Sequence, residues 1–145
     1  MANLDDPAIR EAYEDVRSDK SETNWVLLDY ENDKSNVLKV TSSGSGGIPE
    51  VSKLFEKDKA SFAYVRVKYA NDEESFREKF VLIVWIGEGV KVMRRAKTSV
   101  YTTDVKNVFS VFSVQVNASS EADLKEDDIV TKLRKSGGAN YGPGK

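Results

Sequence analysis

The strongest pattern along the chain is residues 80–86, FVLIVWI, seven apolar positions in succession closed by Gly87-Glu88-Gly89. The run is too short to cross a membrane and too uniformly apolar for a strand with one solvated face. It reads as a central strand covered on both sides, the arrangement of a sheet with helices above and below it. Its leading end, Phe76-Arg77-Glu78-Lys79, is charged, so basic side chains are expected at the rim of that sheet. Just upstream, residues 61–69 alternate, with Ala63, Val65, Val67 and Tyr69 on one side and Arg66 and Lys68 on the other. That is the period of a strand with one buried and one partly exposed face.

The remaining segments supply the other layers. Asp6-Pro7 places a capping carboxylate before a proline at the first helical position, and Ile9, Tyr13 and Val16 follow at helical spacing, which predicts a first helix ending near Asp19. Residues 24–31 (NWVLLDYE) and 36–41 (NVLKVT) flank a turn-forming cluster and predict an antiparallel hairpin. Residues 42–47 (SSGSGG) read as a flexible connection, and Ile48-Pro49 opens a short helix. Between Val90 and Phe112 the apolar residues fall on two faces, Val90, Met93, Ala96 and Val100 on one and Val105, Val108, Phe109 and Phe112 on the other. At about 100° per residue these faces are a third of a turn apart, which predicts a long helix bent or interrupted near Thr102-Thr103-Asp104. Residues 113–116 fit one more strand. Glu126, Asp127 and Asp128 before Ile129, Val130 and Leu133, then Lys132, Arg134 and Lys135 before Gly137-Gly138, have the charge order of a capped last helix. The expected fold class is therefore layered α/β (α+β). One domain over residues 1–136 and a flexible tail over 137–145 complete the expected organisation.

Composition narrows the chemistry. With 145 residues, one domain can bury a sizeable core. A net charge of −2 gives no global attraction to nucleic acid or to an anionic membrane, so any electrostatic site must be a local patch. No apolar stretch reaches membrane-spanning length and no secretory leader is visible, which leads to the expectation of a soluble, cytoplasmic protein and an unused sequon at Asn117. The chain has no cysteine and no histidine, so Ser-His and Cys-His nucleophiles and zinc sites of the usual nitrogen and sulfur type cannot be built. Residues 42–47 lack the Gly-Lys-Ser/Thr ending of a phosphate loop. The acid pairs Glu73-Glu74 and Asp127-Asp128 sit in a turn and at a helix start, where carboxylates are solvated. Neither an enzyme nor a cofactor or metal site is expected. A binding module remains, and its candidate surface is basic: Arg77 and Lys79, then Arg94, Arg95 and Lys97, then Lys132, Arg134 and Lys135. Taken singly, each cluster is also what an ordinary solvated face looks like.

The run KFVLIVWIGEGV at residues 79–90, RRAKT at 94–98 and SGGANY at 136–141 resemble the coactosins, a branch of the actin-depolymerising factor/cofilin homology (ADF-H) family, and the likeness extends from AYEDVRSD in the first helix to GGANY. The resemblance implies the family's central mixed sheet of five or six strands sandwiched between helices. It also implies binding to the side of filamentous actin (F-actin) with little or no affinity for monomers, without catalysis or cofactor. Such a protein modulates filament dynamics and the access of other actin binders. Carried over by position, it makes Lys79, with Arg77 beside it, the filament contact before the central strand. Arg94, Arg95 and Lys97 become the basic start of the docking helix. Lys132 and Lys135 become the basic end of the last helix, where a helix-dipole role serves equally well. Implied alternatives are phosphoinositide headgroup binding by the same cations, and cofilin-like severing or depolymerisation. The expected setting is the cytoskeleton, as a monomer, with neither nucleic acid nor a membrane span involved. The N-terminus Met1-Ala2-Asn3-Leu4 departs from the cofilin pattern, having no serine before Ser18, so phosphorylation of the cofilin kind is not expected.

Overall fold

The computed structural model describes residues 1–72 and 74–141, with side chains through residue 136. In chain order these form α1 (Pro7–Arg17), β1 (Trp25–Tyr30), β2 (Leu38–Gly44), α2 (Gly47–Val51), β3 (Ala60–Ala70), β4 (Phe76–Ile86), α3 (Val92–Val108), β5 (Val114–Ala118), a 3-10 turn (Glu121–Leu124) and α4 (Glu126–Tyr141). The strands make one five-stranded sheet in the order β2-β1-β3-β4-β5. Only the β4–β5 pair is parallel, and α3 makes the crossover between them, so the sheet is mixed as expected.

Two cores flank the sheet. On one face Val81, Ile83 and Trp85 of β4 pack with Ile48 and Val51 of α2 and Ile129 and Leu133 of α4. On the other, Leu82 and Val84 pack with Ile9, Tyr13 and Val16 of α1 and Val105 of α3. Residues 80–86 thus belong to an interior strand covered on both faces, although β3 rather than β4 occupies the middle of the sheet. At α1, Asp6 accepts the Ala8 amide at 3.0 Å ahead of Pro7, the kind of cap worth about 1 kcal/mol to a helix.

Several expectations change. β3 is buried on both faces from Ala60 to Val65 and alternates only beyond it. Even there Arg66 is drawn inward, donating to the carbonyls of Ser18 at 2.6 Å and Ser21 at 2.8 Å. Ser42–Gly44 is not a flexible connection but the end of β2, paired with Trp25–Leu27. A Cβ at Gly44 would come within 2.7 Å of the Trp25 ring, so glycine is what lets the indole lie against this strand. The helix after Gly89 is uninterrupted. Finally, α4 runs through Gly137-Gly138, whose helix penalty of about 1 kcal/mol each does not oblige a stop. The tail expected over 137–145 lies outside the described side chains and, from residue 142, outside the described backbone.

Candidate functional site

The first basic group forms where β4 begins and the middle of α4 passes; Lys132, Arg134 and Lys135, expected at the end of the last helix, lie mid-helix because α4 continues to Tyr141, and its last turn carries no basic residue. Arg77 and Lys79 occupy alternate positions of β4, opposite Tyr69 and Val67 of β3, and therefore share the sheet face that α4 covers. Arg134 of α4 donates to the Ala70 carbonyl at 2.8 Å and lies 5.7 Å from the Tyr69 ring centroid, which brings α4 to this same end of the sheet. Lys132 and Lys135 are exposed on either side of Arg134 along the helix. Lys79 is half-buried, and its side chain makes no hydrogen bond or ion pair with any described residue. Its neighbour Glu78 points to the opposite face, where it meets Arg66 at 3.8 Å, so no rim ion pair absorbs the Lys79 charge. Beside the group, Asp72 is held below the usual carboxylate range by the Glu74 amide and the Ser75 side chain, and to a lesser degree by Arg77.

The second group is α3, and its orientation is the opposite of what the apolar pattern predicts. Arg94, Thr98, Tyr101, Thr102, Val105 and Val108 form a single inward stripe, which requires no bend. Val92, Met93 and Val100 point outward and are 82%, 68% and 69% exposed, with Ala96 between them. The pattern misleads because the buried positions of the first half are threonines. Thr98 bonds the Tyr30 hydroxyl at 2.9 Å, and Thr102 donates to the Thr98 carbonyl at 2.8 Å, so both hydroxyls are satisfied inside. Lys91 and Lys97 are exposed beside the apolar stripe. Arg95 donates to the Val90 carbonyl at 3.2 Å and lines, with Ser99, Asn117 and Asp123, an open cleft of about 400 Å³ between α3 and β5.

Arg94 is turned into the fold. Its guanidinium donates to the carbonyls of Ser35 at 2.9 Å, Asn32 at 3.1 Å and Asp33, and lies 3.8 Å from the Tyr30 ring centroid. These contacts seat the start of α3 at the end of the sheet where β1 and β4 finish.

The structure therefore places Arg77 and Lys79 on the sheet face covered by α4, the helix that carries Lys132 and Lys135, and separates them from Arg95 and Lys97. The two groups belong to opposite sheet faces. They also lie at opposite ends of β4, since the seven steps from Lys79 to Ile86 span roughly 24 Å. A single basic surface, as read from the sequence, is replaced by two: a cationic patch and an apolar helix face with a basic rim. Among the described residues no group of three or more His, Cys, Asp or Glu side chains could hold a metal ion.

Comparison with known proteins agrees with this architecture. A family profile described as cofilin/tropomyosin-type actin-binding protein matches residues 1–134. Coactosin of Dictyostelium discoideum is 37% identical over 142 residues, covering 97% of this chain and 95% of that one. The crystal structures of human coactosin-like protein superpose with a TM-score of 0.83 at 34% identity, covering 93% of this chain and 99% of that one. The solution structure of mouse coactosin, described as an actin filament binding protein, gives a TM-score of 0.75 at 36% identity, covering 97% and 95%.

Proposed function

The chain belongs to the family of cofilin/tropomyosin-type actin-binding proteins, and from that premise we propose that it binds the side of actin filaments in preference to monomers. Bound there, it modulates filament dynamics and access for other actin binders, as a cytoskeletal binding protein without a catalytic step. The separation of the two surfaces is the observation that carries this reading. One compact partner cannot face both ends and both sides of the sheet, whereas neighbouring subunits of a polymer can. Once one surface is engaged, the second meets its partner at an effective concentration in the millimolar range, so two weak contacts give one strong attachment. A free monomer offers only one contact at a time.

Within this reading Lys79, with Arg77, Lys132 and Lys135 around it, engages acidic groups on one subunit. The exposed face of α3, with Lys97 and Arg95 at its rim, engages another. The partner to Val92, Met93 and Val100 must be an apolar recess, because charge alone gains nothing from three exposed apolar side chains in a row. Co-sedimentation with filaments, run beside a monomer-binding assay, tests the proposal. The protein is expected in the filament pellet with an affinity at least about tenfold above that for monomer. Equal affinity for both forms would contradict it.

The cationic patch also favours a second reading, recognition of phosphoinositide headgroups. It predicts binding to vesicles carrying phosphatidylinositol bisphosphate that Lys79→Ala weakens and an α3 substitution leaves unchanged. The filament reading requires both to matter.

A further inference from the structure

The first half of α3 holds little apolar material in the core. Of residues 92–100 only Thr98 is buried, and the apolar side chains of that stretch face out. Hydrophobic packing alone therefore fixes the helix from Tyr101 onward and leaves the orientation of its first turns to polar contacts. Two such contacts are present. Arg94 reaches three carbonyls of the β1–β2 turn and covers the Tyr30 ring, while Tyr30 bonds Thr98 one turn further along. On the same flank, Asp104 accepts the Ala2 amide at 2.9 Å.

The Arg94 and Asp104 contacts are connected through the chain itself. The segment that carries Ala2 is bound to the same turn: Asn3 donates to the Asn36 carbonyl at 2.8 Å, the Asn36 side chain donates to the Met1 carbonyl at 2.6 Å, and Leu38 donates to the Asn3 carbonyl at 2.9 Å. The circuit from α3 to the turn, to the N-terminal segment and back to α3 is closed.

We propose that Arg94 and Asp104 are positioning residues: they clip α3 to the β1–β2 turn and to the N-terminal segment, and so set the pose in which its outward face meets a partner. The proposal rests on the reading that this face docks on the filament, and it withdraws Arg94 from the filament contacts expected of it. Arginine suits the task because its planar fork presents five donors in fixed directions, and three carbonyls in one turn use that geometry as a lysine cannot. Holding the helix in its bound orientation beforehand reduces the ordering cost of association, so loss of the clip weakens binding without removing any contact to the partner.

The test combines amide hydrogen exchange over residues 92–100 of the unbound protein with filament co-sedimentation, for Arg94→Ala, Arg94→Lys, Asp104→Ala and Lys97→Ala. Arg94→Ala is expected to exchange about tenfold faster over this stretch and to bind about tenfold more weakly, with Arg94→Lys and Asp104→Ala between it and the parent protein. Lys97→Ala, a rim contact, is expected to lose affinity with unchanged exchange. Affinity lost at Arg94 with exchange unchanged would make Arg94 a direct contact and overturn the proposal, and so would faster exchange with unchanged affinity. Arg94→Lys and Asp104→Ala carry the same comparison should Arg94→Ala not fold. Failure of the parent protein to co-sediment would defeat the filament reading, while the exchange rates would still report on the clip.

Discussion

Lys79 and Arg94 show how differently two cations of one chain can be placed. Lys79 has no partner among the described residues, so its replacement by Ala removes little from the folded state, and a denaturant midpoint is expected to shift by less than about 1 kcal/mol. Filament affinity is expected to fall by about tenfold or more, the behaviour of a central interface residue; unchanged co-sedimentation would refute its role. Arg94→Ala is expected to cost about 1–2 kcal/mol of stability, since three charge-assisted hydrogen bonds and a ring contact are lost, whereas exposed Arg95 should cost within about 0.5. Position along the chain was enough to place Lys79 at the rim of the sheet, before a strand that announces itself by its apolar run, while only the family resemblance singled it out among the cations. It was not enough for Arg94, whose acceptor Asn32 lies 62 residues earlier in a turn that sequence pattern does not bring near α3.

At the scale of elements, α3 is the informative failure of pattern reading. Apolar residues at helical spacing predict a buried face, and Met93, Ala96 and Val100 obey the spacing while facing out. A rule that holds for β4, α1 and the hairpin breaks at α3, the face that the filament reading assigns to a partner and so the kind of site where local and global preference are expected to part. Met93→Glu should accordingly leave the unfolding midpoint within about 0.5 kcal/mol of the parent protein, because the side chain is already exposed, yet reduce filament binding by at least about tenfold. A large loss of stability from this substitution would place Met93 in the core and contradict the orientation of the helix. The end of β2 was illegible for a different reason. Serines and glycine have weak strand preference, and only the Trp25 ring and the pairing with β1 hold Ser42–Gly44 extended.

The whole molecule has no histidine, and among the described residues the carboxylates that the fold perturbs are lowered: Asp6 by the Ala8 amide and Lys39, Glu50 by the Trp25 indole and the Gly46 amide, Asp123 by the Ser119 and Ser120 amides, and Asp72 as described. A group whose folded pKa lies below its unfolded value contributes stability above the unfolded value and loses it as pH falls. Denaturant melts at pH 6.2 and 7.8 should therefore agree within about 1 kcal/mol, with stability declining below about pH 4. A steep change across neutrality would reveal a buried group titrating there. The molecule's central feature is the pair of surfaces on opposite faces and ends of one mixed sheet, and the most direct measurement of what they do is co-sedimentation of the parent protein, Lys79→Ala, Met93→Glu and the double variant with filaments, each set beside its monomer affinity. Two surfaces that meet different subunits predict strong filament binding by the parent protein, a loss of about tenfold or more from each single substitution, and monomer affinity that responds at most to one of them. Filament binding that survives either substitution, or monomer binding as strong as filament binding, would contradict the account.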